Sequence, residues 1–292
     1  MEKMRIIVFI TGFLMALADS VPGVSGGTIA FVLGVYQELI DSIKNLTNKD
    51  KVIRKSAILF IINIGITWFI GAVLAVLVLT SLFESHIYLL SSIFLGFVFV
   101  SIPITMQDDK KEMLENKHHF LYTIIGIVVV VTVAYLGTKI NIDASTTASA
   151  IGFLGYVYLF LTGILAISCM LLPGISGSTM LMITGVYFLI MNSIESFLKL
   201  DFTVFPILFV FGLGILVGAF FAVKIISYVY KNYRTQTVYT IEGLMIGSLY
   251  AIIVGPTSLE LPPLSFQTFS IIGFLFGAVI ILGLEKIKHA KH

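Results

Sequence analysis

Charge is what this sequence has least of. Only 12% of its 292 residues are Asp, Glu, Lys or Arg, where a soluble domain carries about 25%. Too few polar side chains remain to clothe a soluble body of this size, which excludes a water-soluble monomer. Cysteine occurs once, at Cys169, so there is no internal disulfide and no multi-cysteine metal site. His86, His118, His119, His289 and His292 all lie outside the long apolar runs, against a buried haem or zinc centre. A net charge of +2 carries no footprint for nucleic acid. The polar–apolar alternation of a membrane barrel is missing too. What is present, at 58% hydrophobic, is the composition of an all-α polytopic membrane protein.

Six segments read as plain spans: Ser56–Thr80, Ile87–Met106, Phe120–Gly137, Val204–Tyr228, Tyr239–Pro256 and Phe266–Leu284. Two other apolar segments, Ile6–Ile43 and Ile151–Phe197, are interrupted by Pro-Gly-Ser clusters. These are Val21-Pro-Gly-Val-Ser-Gly-Gly-Thr28 and Leu172-Pro-Gly-Ile-Ser-Gly-Ser-Thr179. Removing the loop from the first leaves two arms of about 15 residues, each about 22 Å long at the helical rise. That falls short of a crossing and predicts a re-entrant hairpin. The second segment is longer, with room for a full-length first arm.

The interrupted segments are copies. A shift of 151 aligns Phe9, Thr11, Gly12, Pro22, Gly23, Ser25, Gly26, Thr28, Gly34, Val35 and Tyr36 with identical residues, 11 matches over 28 positions. Gly65, Gly71, Ala72 and Ala75 match Gly212, Gly218, Ala219 and Ala222 at a shift of 147. The chain therefore divides into two repeats, 1–148 and 149–292, forming one transmembrane domain. Each repeat has one re-entrant or short helical hairpin plus three transmembrane helices. Three spans is an odd number, so the repeats are expected to have inverted topology. With the N- and C-termini in the cytoplasm, 16 of the 18 Lys and Arg residues fall inside, and only Lys139 and Lys199 fall outside.

Inverted repeats with broken helices are the architecture of secondary transporters. Each Pro-Gly is followed by small and hydroxylic residues at the start of a new apolar helix: Ser25, Gly26, Gly27 and Thr28, then Ser176, Gly177, Ser178 and Thr179. A helix start leaves backbone N–H groups unpaired with partial positive charge, and glycine lets an anion approach them. These eight residues are the candidate anion-binding set, and inversion would bring the two tips together at mid-membrane. Their alternative use is helix capping and close packing. Asp19, a carboxylate at the first tip where the second copy has Met170, is a candidate for proton coupling or for orienting the loop. Glu242 reads as a partner of a helix-start dipole or a coupling residue. Lys224 reads as a phosphate contact or a lysine snorkelling to the interface. Gly214/Gly218, Gly243/Gly247 and Gly273/Gly277 read as helix-packing pairs.

The first motif, Ala18-Asp-Ser-Val-Pro-Gly-Val-Ser-Gly-Gly-Thr28 with Gly34-Val-Tyr36, its second copy with Gly185-Val-Tyr187, and Gly243-Leu-Met-Ile-Gly-Ser-Leu249 resemble the PopT family of bacterial polyprenyl-phosphate translocases. The resemblance covers essentially the whole chain. It implies a non-enzymatic carrier in the bacterial cytoplasmic membrane that returns undecaprenyl phosphate from the outer to the cytoplasmic leaflet for cell-wall synthesis. The expected partners are the polyprenyl phosphate lipid and the bilayer; a homo-oligomer is left open. No cofactor is expected beyond a coupling proton or sodium ion. One rival is an intramembrane polyprenyl-diphosphate phosphatase, poorly served because Gly177 stands where such enzymes resemble one another in an Arg and no His is near. The other is a transporter of a small soluble anion, which the same tips would serve.

Overall fold

The computed structural model describes residues 2–19, 23–74, 80–108, 110, 113, 116–139, 152–259 and 261–289. Ser20, Val21 and Pro22 of the first motif, residues 75–79, Lys111, Lys291 and the repeat boundary at 148/149 lie outside them. Twelve α-helices occur among the described residues. The first half holds α1 (Glu2–Asp19), α2 (Gly26–Val32), α3 (Tyr36–Asn45), α4 (Lys51–Leu74), α5 (Thr80–Asp108) and α6 (Phe120–Lys139). The second holds α7 (Phe153–Met170), α8 (Gly177–Ile183), α9 (Tyr187–Leu198), α10 (Phe205–Asn232), α11 (Arg234–Val254) and α12 (Ile271–His289).

Six stretches are long and apolar enough to cross a membrane: Lys51–Leu74, His86–Gln107, Phe120–Thr138, Phe153–Met170, Phe202–Asn232 and Arg234–Thr257. The chain is thus a multi-pass helical membrane protein, as its composition required. Phe153–Met170 is the full-length first arm for which the second broken segment had room. The expected span at Phe266–Leu284 is not among these six: its helix, α12, begins only at Ile271. Ser265 and Thr268 close a turn, and Ser270 then caps α12 by accepting the Gly273 N–H at 3.1 Å.

Small residues decide which helices pair. Lipid tails are as apolar as the helices, so association rests on close backbone approach. A Cβ at Gly214 or Gly218 would collide with Phe160 or Ile164, which seats α10 on α7. Gly243 and Gly247 likewise seat α11 against Thr123 and Ile127 of α6, and Gly273 and Gly277 seat α12 against Leu89 and Ile93 of α5. All three glycine pairs are packing devices, as their spacing suggested. The pairing crosses the halves: α5 lies on α12, α6 on α11, and α5 meets α11 between them.

Both hairpins share a detail absent from the sequence reading. The return arm is not one helix but two, because α2 and α8 each stop after 7 residues. Gly34 and Gly185 take left-handed φ of 72° and 77°. Behind them the Val35 N–H donates to Ala30 O at 2.9 Å and the Val186 N–H to Leu181 O at 3.1 Å. These six-to-one bonds are Schellman caps, which only a residue at ease with positive φ closes cheaply. Beyond the second cap the chain turns by 113° into α9.

Candidate functional site

The two tips touch. The Gly174 N–H donates to the Thr28 hydroxyl at 2.7 Å, and the Ser25 hydroxyl faces Leu172 O at 3.4 Å. Gly23 and Gly174, with φ of 81° and 91°, bring the loop backbones against α11. A Cβ on Gly23 would meet the Ala251 carbonyl, and one on Gly174 the Leu244 carbonyl. Helix α11 is therefore the post against which both loops are set, through carbonyls that a side chain would push away.

The tips are occupied differently. At the first, Asp19 Oδ1 accepts the Gly26 N–H at 2.8 Å and Oδ2 accepts the indole N–H of Trp68 at 3.1 Å. The Thr28 N–H turns back to Ser25 O at 3.1 Å. The protein's own carboxylate thus fills the anion position at this helix start, and Ser25, Gly26, Gly27 and Thr28 are all buried. Neither Ser25 nor Ser176 caps its helix with its side chain. The capping alternative for these hydroxyls accordingly fails.

At the second tip no carboxylate intervenes, since Met170 replaces Asp19 and Ile215 stands in the place of Trp68. Ser176 and Ser178 share a hydroxyl hydrogen bond of 2.8 Å. Among the described residues, the backbone N–H groups of Gly177, Ser178 and Thr179 and the Thr179 hydroxyl make no hydrogen bond. These three residues are half-exposed rather than buried. Thr179 and Gly23 line a small, half-open pocket with Ala134, Gly137, Thr138, Met182, Ala251, Val254, Gly255 and Thr257. Its wall is lent by the C-terminal ends of α6 and α11.

The opposite end of the bundle carries a contact between the two halves. Helix α10 ends at Asn232 and α11 begins two residues on, so the end of α10 lies far from the pocket at the end of α11. There α3 packs on α10, and the Lys44 ammonium donates to the Ser227 hydroxyl at 2.9 Å across 183 residues of sequence. Ile40 on α3 is 1% exposed, while Met191, its counterpart on α9, is 40% exposed. Tyr36, also sealed behind this contact, has a hydroxyl with no hydrogen-bond partner.

Two further candidates fall elsewhere. Lys224 is exposed on α10 with its ammonium 3.7 Å from the Phe220 ring centre, and it makes no hydrogen bond to either tip. That is the geometry of a lysine whose stem lies on apolar surface. Glu242 is 1% exposed on α11, eight residues past Arg234. The helix starts five residues earlier than the sequence suggested, so Glu242 stands about 12 Å from the positive end and is no dipole partner of a helix start. Trp68, which grips Asp19, was not singled out by sequence; its being the one tryptophan was the available signal.

A family model for VCA0040-like, undecaprenyl phosphate translocase-like proteins matches residues 15–282. A polyprenyl-phosphate transporter of Staphylococcus aureus (strain NCTC 8325 / PS 47) is 33% identical over 297 residues, covering 98% of each chain. A polyprenyl-phosphate transporter of Vibrio cholerae serotype O1 (strain ATCC 39315 / El Tor Inaba N16961) is 26% identical over 95% of each. No solved structure matches the chain significantly. The relatives are named as transporters rather than enzymes.

Proposed function

The chain belongs to the undecaprenyl phosphate translocase-like family, and from that premise we propose that it carries undecaprenyl phosphate from the outer to the cytoplasmic leaflet of the bacterial plasma membrane, returning the lipid carrier to cell-wall polymer synthesis. The observation that carries the reading is the contrast between the tips. The first is filled by Asp19; the second offers three unpaired amides and the Thr179 hydroxyl beside a pocket. Paired charges are scarce inside a bilayer, and oriented N–H groups at a helix start suit a phosphate there. Ser176, Gly177, Ser178 and Thr179 then receive the phosphate, with Ser25, Gly26, Gly27 and Thr28 supporting them from the other repeat. The polyprenyl tail stays in lipid.

The two halves act as inverted repeats with both termini cytoplasmic, and the first hairpin is re-entrant. In this arrangement the pocket faces outward and the α3–α10 contact seals the cytoplasmic side. Transport is alternating access: α3 parts from α10 while α9 closes over the equivalent face near α4. Tyr36, whose buried hydroxyl lacks a partner, lies on the path so opened. Asp19 orients the first loop, Glu242 is the group through which a proton or sodium ion would be coupled, and Lys224 serves the membrane interface.

Liposomes holding polyprenyl phosphate in both leaflets test this. A membrane-impermeant phosphatase added outside reaches only the outer half unless the protein moves the rest. Wild type is expected to expose the inner half; equality with protein-free vesicles in every proton or sodium gradient sinks the reading. Thr179→Val, which removes one hydroxyl from a charged ligand, should slow transport about tenfold or more. Uptake of free inorganic phosphate by the same vesicles would instead favour a small-anion carrier.

A further inference from the structure

We propose that Trp68 is a positioning residue for the transported headgroup, acting through Asp19 and the first tip on the second; this rests on the reading that the second tip receives the phosphate. Hydrogen bonds and a two-residue step of α2 backbone connect Trp68 to the second tip. The Trp68 indole N–H on α4 holds Asp19 Oδ2 at 3.1 Å, and Asp19 Oδ1 holds the Gly26 N–H at 2.8 Å. Two residues on, the Thr28 hydroxyl takes the Gly174 N–H at 2.7 Å. A carboxylate gripped by two donors from different helices is a stiff joint, because hydrogen bonds to a charged group are the stronger kind. Gly26 is shaped to it: a Cβ there would lie 2.6 Å from Asp19 Oδ2.

The second tip has no such joint of its own. Met170 and Ile215 occupy the positions of Asp19 and Trp68, and neither side chain can exchange a hydrogen bond of this kind. The second loop is therefore braced from outside, by Thr28 on Gly174, and Thr28 rides on the same short helix as Gly26, whose N–H the carboxylate holds. Removing the indole leaves Asp19 with one donor and lets the first tip shift. The second tip then loses its fixed geometry while keeping all its own groups. The expected signature is weaker headgroup affinity.

The test uses the full-length protein in liposomes, with Trp68→Phe, Asp19→Asn and the double variant, and reads the polyprenyl phosphate concentration that half-saturates transport. Each single change should raise it about tenfold, the effect of one lost hydrogen bond to a charged group. The double variant should be no worse than the poorer single, since both cut the same chain. Losses that multiply to about a hundredfold would mean the two residues act independently, and that result, or a Trp68→Phe protein that saturates like wild type, overturns the proposal. Should Trp68→Phe fail to fold, Asp19→Asn keeps the fluorophore. Its emission must then shift from wild type without lipid, and the same tenfold rise must appear; an unshifted emission overturns the proposal. A wild type that moves no lipid sinks the functional reading itself, whereas normal wild-type transport with an unaffected Trp68→Phe sinks only the positioning role.

Discussion

Linking residues 44 and 227 covalently is expected to bring transport down to the protein-free background. Lys44 and Ser227 are joined by a 2.9 Å hydrogen bond at the end of the bundle away from the pocket. If α3 must leave α10 for the headgroup to reach the second leaflet, a tether there holds the carrier in one state. The chain has one cysteine, Cys169, so Cys169→Ser supplies a clean background for Lys44→Cys with Ser227→Cys and a short bifunctional thiol reagent. Cleaving the tether should restore the rate, and each single-cysteine protein should be indifferent to the reagent. Full transport by the tethered protein would show that this contact need not open. Binding of polyprenyl phosphate should survive the tether, because the second tip lies on the open side; loss of both would point to a damaged fold instead.

Replacing Gly174 with alanine should destabilise the protein by about 3 kcal/mol or more and abolish transport. Two costs combine. A side chain at φ of 91° is strained by about 1–2 kcal/mol. The new Cβ would also strike the Leu244 carbonyl of α11, a backbone atom that cannot swing aside. Relief by moving the loop would pull the Gly174 N–H from Thr28 and so separate the tips. Gly23→Ala should behave alike against Ala251. Gly212→Ala is the control: nothing lies within 4 Å of its Cβ, and its effect should stay within about 0.5 kcal/mol or be mildly stabilising. Thermal unfolding in detergent, followed by loss of the monodisperse peak, separates the cases; a Gly174→Ala protein as stable as wild type would contradict the geometry.

Much of this fold was legible because helix breakers stand out in an apolar chain. The two Pro-Gly-Ser clusters located both loops, the glycine pairs marked packing faces, and the repeated motif carried the family resemblance that the comparisons bear out. The second break at Gly34 and Gly185 was also written in the sequence, as part of a Gly-Val-Tyr match. A glycine eight residues past a helix start reads as tolerated in the interior until the six-to-one bond is seen. The inequality of the tips was half legible. Asp19 against Met170 announced it, but the use of the carboxylate depends on how α4 is rotated, which only tertiary packing fixes. Glu242 was misplaced by a boundary error of five residues, enough to move a carboxylate from a helix end to its buried middle.

The crossing of the two halves bears on how the protein is made. Helices α5 and α6 present small-residue faces whose partners are α12 and α11, emerging from the ribosome more than a hundred residues later. Until then those faces lie against lipid with nothing to fit them, and neither half of the chain has a complete set of neighbours. Assembly therefore waits for the last helix. A nascent chain stopped after the first repeat should remain open to quality-control proteases, and an early stop codon should leave no stable half-carrier behind.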